Sequence, residues 1–133
     1  MSEVVANLLY SKEHEWVKVL DEKRILVGIT DFAQAQLGDI VFIELPELNS
    51  EVTADESMGS VESVKAVSDI YSPVTGKITL INKTLEANPE LVNLESYEAG
   101  WIAEIEISGA DSLAGLLTAA EYERLIGEAN SKE

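Results

Sequence analysis

Short apolar runs recur along the chain between turn-forming residues: "NLLYS", "WVKVL", "RILVGIT", "DIVFIELP", "GKITLIN" and "WIAEIEIS". Their length and their Val, Ile and Trp content predict strands rather than helices. In the last run Ile102, Glu104, Glu106 and Ser108 alternate with Trp101, Ala103, Ile105 and Ile107, so one face of that strand is expected to be buried and the other wet. In "SKEHEWVKV" the alternation of Trp16, Val17 and Val19 with charged residues predicts a strand near the N-terminus, with His14 a partly exposed member of it. "GDIVFIE" from Gly38 and "GKITLIN" from Gly76 share Gly, Ile and Ile at corresponding positions, which favours a duplicated hairpin only slightly over coincidence.

Helical patterns are few. "TDFAQAQLGD" reads as one short helix, with Thr30 or Asp31 able to accept from its free N–H groups and Gly38 able to end it. A C-terminal helical segment is expected over about 111–129. Within it Thr118 and Glu121 have capping-box spacing, and the final "EANSKE" is expected to fray.

Residues 57–72 are ambiguous at first sight. Met58, Val61, Val64, Val67 and Ile70 fall at every third position. At about 100° per residue a step of three slips by about 60° each time, so five such residues smear around a helix instead of marking one face. The β-branched content, Gly59 within the run and Pro73 beyond it predict two short strands with a turn near Lys65. A lysine at a hairpin tip has an ordinary use, since it keeps a strand edge soluble.

Composition narrows the chemistry. The chain has 133 residues, enough for one domain with a hydrophobic core, and no apolar run long enough to cross a bilayer. Its 25 acidic and nine basic side chains leave a formal charge of −16, which repels a nucleic-acid backbone and an anionic membrane. Without cysteine there is no disulfide, no thiolate nucleophile and no cysteine metal site, and the one histidine, His14, has no nucleophile motif beside it. No catalytic residue and no metal site are predicted. The N-terminus resembles neither a secretory signal nor a transit peptide, so a bacterial cytoplasmic location is expected ahead of a mitochondrial matrix one.

Five segments in order resemble the H proteins of the glycine cleavage system: "EHEWV" at 13–17, "VGITDFAQAQLGDIVFIELPE" at 27–47, "VESVKA" at 61–66, "SDIYSPVTGKI" at 68–78 and "GWIAEIEI" at 100–107. The resemblance implies a mainly β barrel-sandwich hybrid of the lipoyl and biotinyl carrier type with short helices, a single domain over 1–133. It further implies lipoate attached covalently to Lys65. Biotin carriers usually flank their lysine with methionines, whereas Val64 and Ala66 stand here. By the same resemblance the partners are glycine decarboxylase (P protein), an aminomethyltransferase (T protein), dihydrolipoyl dehydrogenase (L protein) and a lipoylating enzyme. Glu62 would help that last enzyme recognise its site, and Glu15, Asp69 and Ser72 match a cleft that receives the loaded arm. Glu13 departs from the small or polar residue that many relatives carry before "HEW". The alternatives are a carrier that relays lipoate, another lipoyl or biotinyl carrier domain, and an unmodified acidic interaction module.

Overall fold

The computed structural model describes residues 4–131. Alternating apolar sequence becomes two antiparallel sheets. One is six-stranded, in the order β1-β2-β3-β9-β8-β5, from β1 (Leu9–Tyr10), β2 (Glu15–Val19), β3 (Arg24–Ile29), β5 (Glu51–Val52), β8 (Gly76–Ile81) and β9 (Ala103–Glu106). The other is three-stranded, in the order β4-β6-β7, from β4 (Ile40–Glu44), β6 (Ser57–Ser63) and β7 (Val67–Tyr71). The result is mainly β and sandwich-like, as expected, without closing into one barrel. All six predicted runs contain a strand. "GDIVFIE" and "GKITLIN" supply β4 and β8, which lie in different sheets.

The main core lies between the sheets and takes Val17, Val27, Ile78 and Ile105 from one and Ile43, Val61 and Ile70 from the other. A second cluster on the far side of β2 gathers Leu8, Tyr10, Trp16, Phe32, Tyr122 and Ile126. Period two explains the division, because neighbours such as Trp16 and Val17 point to opposite faces of their strand. Trp16 lies against Gly28 on β3, where a Cβ would come within 2.6 Å of the indole, and its Nε1–H donates to the Ser96 carbonyl at 2.8 Å.

Short helices complete the fold: α1 (Asp31–Leu37), α2 (Thr84–Ala87), α3 (Leu91–Leu94) and α4 (Ala119–Ser131), with a 3-10 turn at Ala110–Leu113. Thr30 caps α1 by accepting from the Ala33 N–H, and Gly38 ends it at φ +83°. The capping box before α4 forms: Thr118 Oγ1 accepts from the Glu121 N–H at 3.2 Å, and the Glu121 carboxylate accepts from the Thr118 N–H at 2.9 Å. That helix runs on through Ser131, into the stretch expected to fray; residues 132 and 133 lie outside the described residues.

Two expectations are corrected. The predicted wet face of β9 is only partly wet: Glu106 and Ser108 are exposed, but Ile102 and Glu104 are buried. Strand β9 has β3 and β8 on its two sides, Thr79 Oγ1 donates to the Glu104 carboxylate at 2.8 Å, and the Arg24 guanidinium stands 3.9 Å away. His14 belongs to the turn before β2, at φ +71°, and not to the strand. There its Nδ1 meets the Tyr122 hydroxyl at 2.8 Å, and burial lowers its pKa.

Candidate functional site at the lysine hairpin

Strands β6 and β7 form the predicted hairpin, with Val64, Lys65 and Ala66 as its turn. Ser63 closes that turn with one hydroxyl, which accepts from the N–H groups of both Lys65 and Ala66 at 3.1 Å. The Ser63 N–H donates to the Ala66 carbonyl at 2.8 Å. A serine hydroxyl can replace the backbone acceptor that a tight turn lacks, which gives "ESVKA" a local structural reason.

The tip is also tied to the rest of the chain. The Val64 N–H donates to the Asp39 carbonyl at 3.0 Å. The stem of Lys65 lies over Gly38, whose backbone position would bring a Cβ within 3.5 Å of the lysine Cδ. Asn93 on α3 holds this support from beneath: its amide donates to the Gly38 carbonyl at 2.9 Å and to the Gln34 side chain at 2.7 Å, and its oxygen accepts from the Ile40 N–H at 2.8 Å. Lys65 is exposed, and among the described residues its ammonium has no hydrogen bond or ion pair. The turn is therefore fixed and the amine free.

Glu15 lies at the other end of the hairpin. It is 2% exposed, accepts from Ser11 Oγ at 2.5 Å, and takes the Tyr71 N–H at the end of β7 at 3.3 Å. Burial pushes its pKa up to about 8; the bonds from Ser11 and Tyr71 oppose the shift, and the charges of Glu13 and Asp55 add to it. Beside it opens a cleft of about 450 Å³ lined by Ser11, Lys12, Glu13, Asp55 and Pro73, among others. A carboxyl whose pKa is raised beside two further acids favours a cationic partner, which it can bind by giving up its proton.

Helix α1 joins the two ends. Gly38, just past its C-terminus, touches Lys65, while Ile29, before its cap, pairs with Glu15. Seven residues at 1.5 Å each make α1 roughly 10 Å long.

The other expected residues scatter. Glu62 is exposed on β6, between Phe42 and Val67 in the cross-strand register. Asp69 is exposed on the same face, in a row with Ser60 and Glu44. Ser72 is fully buried, and its hydroxyl donates to the Val74 carbonyl at 2.6 Å. Glu15 and Ser72 thus converge on the end of β7, while Glu62 and Asp69 face solvent. Sequence reasoning missed Ser11, Asp55 and Asn93. Asp55 carried a weak signal as a turn residue, since it takes φ +71° in "TADES"; Asn93 carried none.

Comparison with known proteins follows the same lines. The family described as "Glycine cleavage H-protein" matches residues 8–129. A glycine cleavage system H protein of Coprothermobacter proteolyticus is 52% identical over 125 residues, covering 94% of this chain and 98% of the relative. That of Halalkalibacterium halodurans is 53% identical over 128 residues, covering 96% and 99%. The crystal structure of a glycine cleavage system H protein from Mycobacterium marinum superposes with a TM-score of 0.86 at 35% identity, over 93% of this chain and 99% of that one.

Proposed function

The chain belongs to the glycine cleavage H-protein family, and from that premise we propose that it is a lipoyl carrier of the glycine cleavage system, acylated on Lys65. One observation carries the reading: a free, exposed ammonium stands on a turn that Ser63, Asp39 and Asn93 hold from three sides. A rigid tip with an unpaired amine suits a side chain that a lipoylating enzyme and several partner enzymes must all reach.

The residues fit the group. The chain contains no thiol of its own, and the Lys65 amine is available for an amide bond. Lipoate bound there would supply a cyclic disulfide at the end of a flexible chain, the redox and group-carrying chemistry that the protein lacks. In that role the carrier would serve glycine decarboxylase, the aminomethyltransferase and dihydrolipoyl dehydrogenase in turn, with the group held on Lys65 supplying the carrying and redox chemistry between them. It is not itself a catalyst. Glu15 would hold an incoming alkylammonium by a charge-assisted hydrogen bond, releasing its own proton to the cleft, and Ser11 and the Tyr71 N–H keep its carboxyl oriented. Glu13 and Asp55 add negative potential at the same place. Ser72 sets the backbone turn that follows Tyr71, and Glu62 marks the approach to the lysine. We assign the chain, as one domain over 1–133, to the bacterial cytoplasm; no helix among the described residues is long and apolar enough to cross a membrane.

Intact mass and peptide mapping after expression with lipoate and a lipoylating enzyme test the assignment. One added lipoyl group on the peptide containing Lys65 is expected. Lys65→Arg should keep the circular dichroism spectrum and melting temperature of the wild type while losing modification and all carrier activity, because a guanidinium is not acylated in place of an ε-amine. An unmodified Lys65 under conditions that lipoylate a reference carrier would overturn the proposal.

A further inference from the structure

Tyr122 is fully buried on α4 and belongs to neither end of the site, yet its hydroxyl is bonded to both. His14 Nδ1 lies 2.8 Å from that hydroxyl and Thr30 Oγ1 lies 2.7 Å from it. His14 stands at φ +71° between Glu13 and Glu15, in the turn that lines the cleft. Thr30 is the cap from which α1 runs to Gly38 beneath Lys65, and its own N–H donates to the His14 carbonyl at 3.0 Å. The Tyr122 ring is stacked on Tyr10 with centroids 4.5 Å apart, so the hydroxyl has little room to swing.

The supply of hydrogens fixes the direction of these bonds. Thr30 Oγ1 already accepts from the Ala33 N–H at 3.2 Å, and its own hydrogen has one acceptor among the described residues, the Tyr122 oxygen. Thr30 therefore donates to Tyr122, and Tyr122 donates to His14 Nδ1. That order requires a neutral imidazole with its proton on Nε2. A protonated His14 would donate from Nδ1 instead, turn the Tyr122 hydroxyl towards Thr30 and leave the buried Thr30 hydrogen without an acceptor. Burial holds His14 neutral against the opposing charge of Glu13 beside it; Glu15, Asp31 and Tyr10 are the other ionisable groups around the Tyr122 hydroxyl. Resting on the carrier reading above, we infer that Tyr122 is a positioning residue for the carrier site: through neutral His14 it fixes the turn that holds Glu15, and through Thr30 the start of the helix that supports Lys65. The C-terminal helix thereby sets both ends at once. Because the folded chain disfavours the imidazolium, this hold is complete above the ordinary histidine pKa of 6.5 and is lost as pH falls below it.

The test uses the unmodified protein. In Tyr122→Phe the Glu15 carboxyl, followed by NMR, should titrate about one pH unit lower than in the wild type, because water reaches it once the turn is loosened. Ile126→Val trims the packing of the same helix without touching the hydroxyl. Its melting temperature should fall while its Glu15 midpoint stays where the wild type has it. NMR of the imidazole nitrogens should find the neutral His14 proton on Nε2. The gap in melting temperature between wild type and Tyr122→Phe should narrow between about pH 7 and about pH 5, since the wild type then loses the same bonds. An unmoved Glu15 midpoint in Tyr122→Phe, an equal shift in Ile126→Val, a neutral proton on Nδ1, or a gap that stays constant overturns the inference. Failure of the carrier reading is separate, because it shows as a wild-type Lys65 that gains no lipoyl mass.

Discussion

Glu15 is one of 25 acidic residues, and only its surroundings make it unusual. Its pKa is raised from the ordinary 4.5 to about 8, first by burial. Between those two values the folded chain keeps a proton that the unfolded chain has released, so stability must fall as pH rises through that window. Glu15→Gln keeps a single acceptor oxygen where Ser11 and the Tyr71 N–H each have their own, so it loses one of those bonds at every pH, and it has no proton to lose. Thermal melts at pH 5 and pH 8 should therefore show the variant gaining on the wild type as pH rises, and a constant difference would mean that Glu15 is charged when folded. Trp16, next along the chain, depends on the absence of a side chain at Gly28. Gly28→Ala forces a methyl into the indole, and urea titration should show a loss of about 2 kcal/mol or more.

At the scale of elements, what was legible had short-range causes. The caps of α1, the capping box of α4 and the strand–turn–strand at Lys65 follow from residues within a few positions of one another. Helices α2 and α3 were missed because each has four residues and no side-chain cap, so no periodicity can show. Yet α3 supplies Asn93, which holds the turn beneath Lys65. Asn93→Ala would remove the partners of the partly buried Ile40 N–H and Gly38 carbonyl, at a cost of about 0.5–1.5 kcal/mol for each hydrogen bond lost. Hydrogen exchange should quicken at the Val64 amide, which donates to Asp39 in the same turn, and stay unchanged at the Thr118 and Glu121 amides. Equal protection at Val64 in both proteins would show that the tip stands without α3.

For the whole molecule the dominant quantity is charge. A net charge of −16 with ion pairs only around Arg24 among the described residues leaves most acids unopposed. Self-repulsion of this kind is screened by salt, so the melting temperature should be higher in about 0.5 M than in about 0.01 M sodium chloride; no change would mean that the acids are spaced too widely to interact. The sequence by itself determined the β class, the caps, the hairpin and the single lysine at its turn, because period two, turn chemistry and capping act over a few residues. It also determined the sign of the field that any partner meets. Only the tertiary structure decided that Glu15 is buried with its pKa pushed up to about 8, that Glu104 is covered on a strand expected to be half wet, that His14 serves Tyr122 on α4, and that Gly38 and Asn93 support the lysine. Burial and hydrogen bonding at those sites come from segments tens of residues apart, and a linear pattern carries no record of which distant segment will lie on top of another.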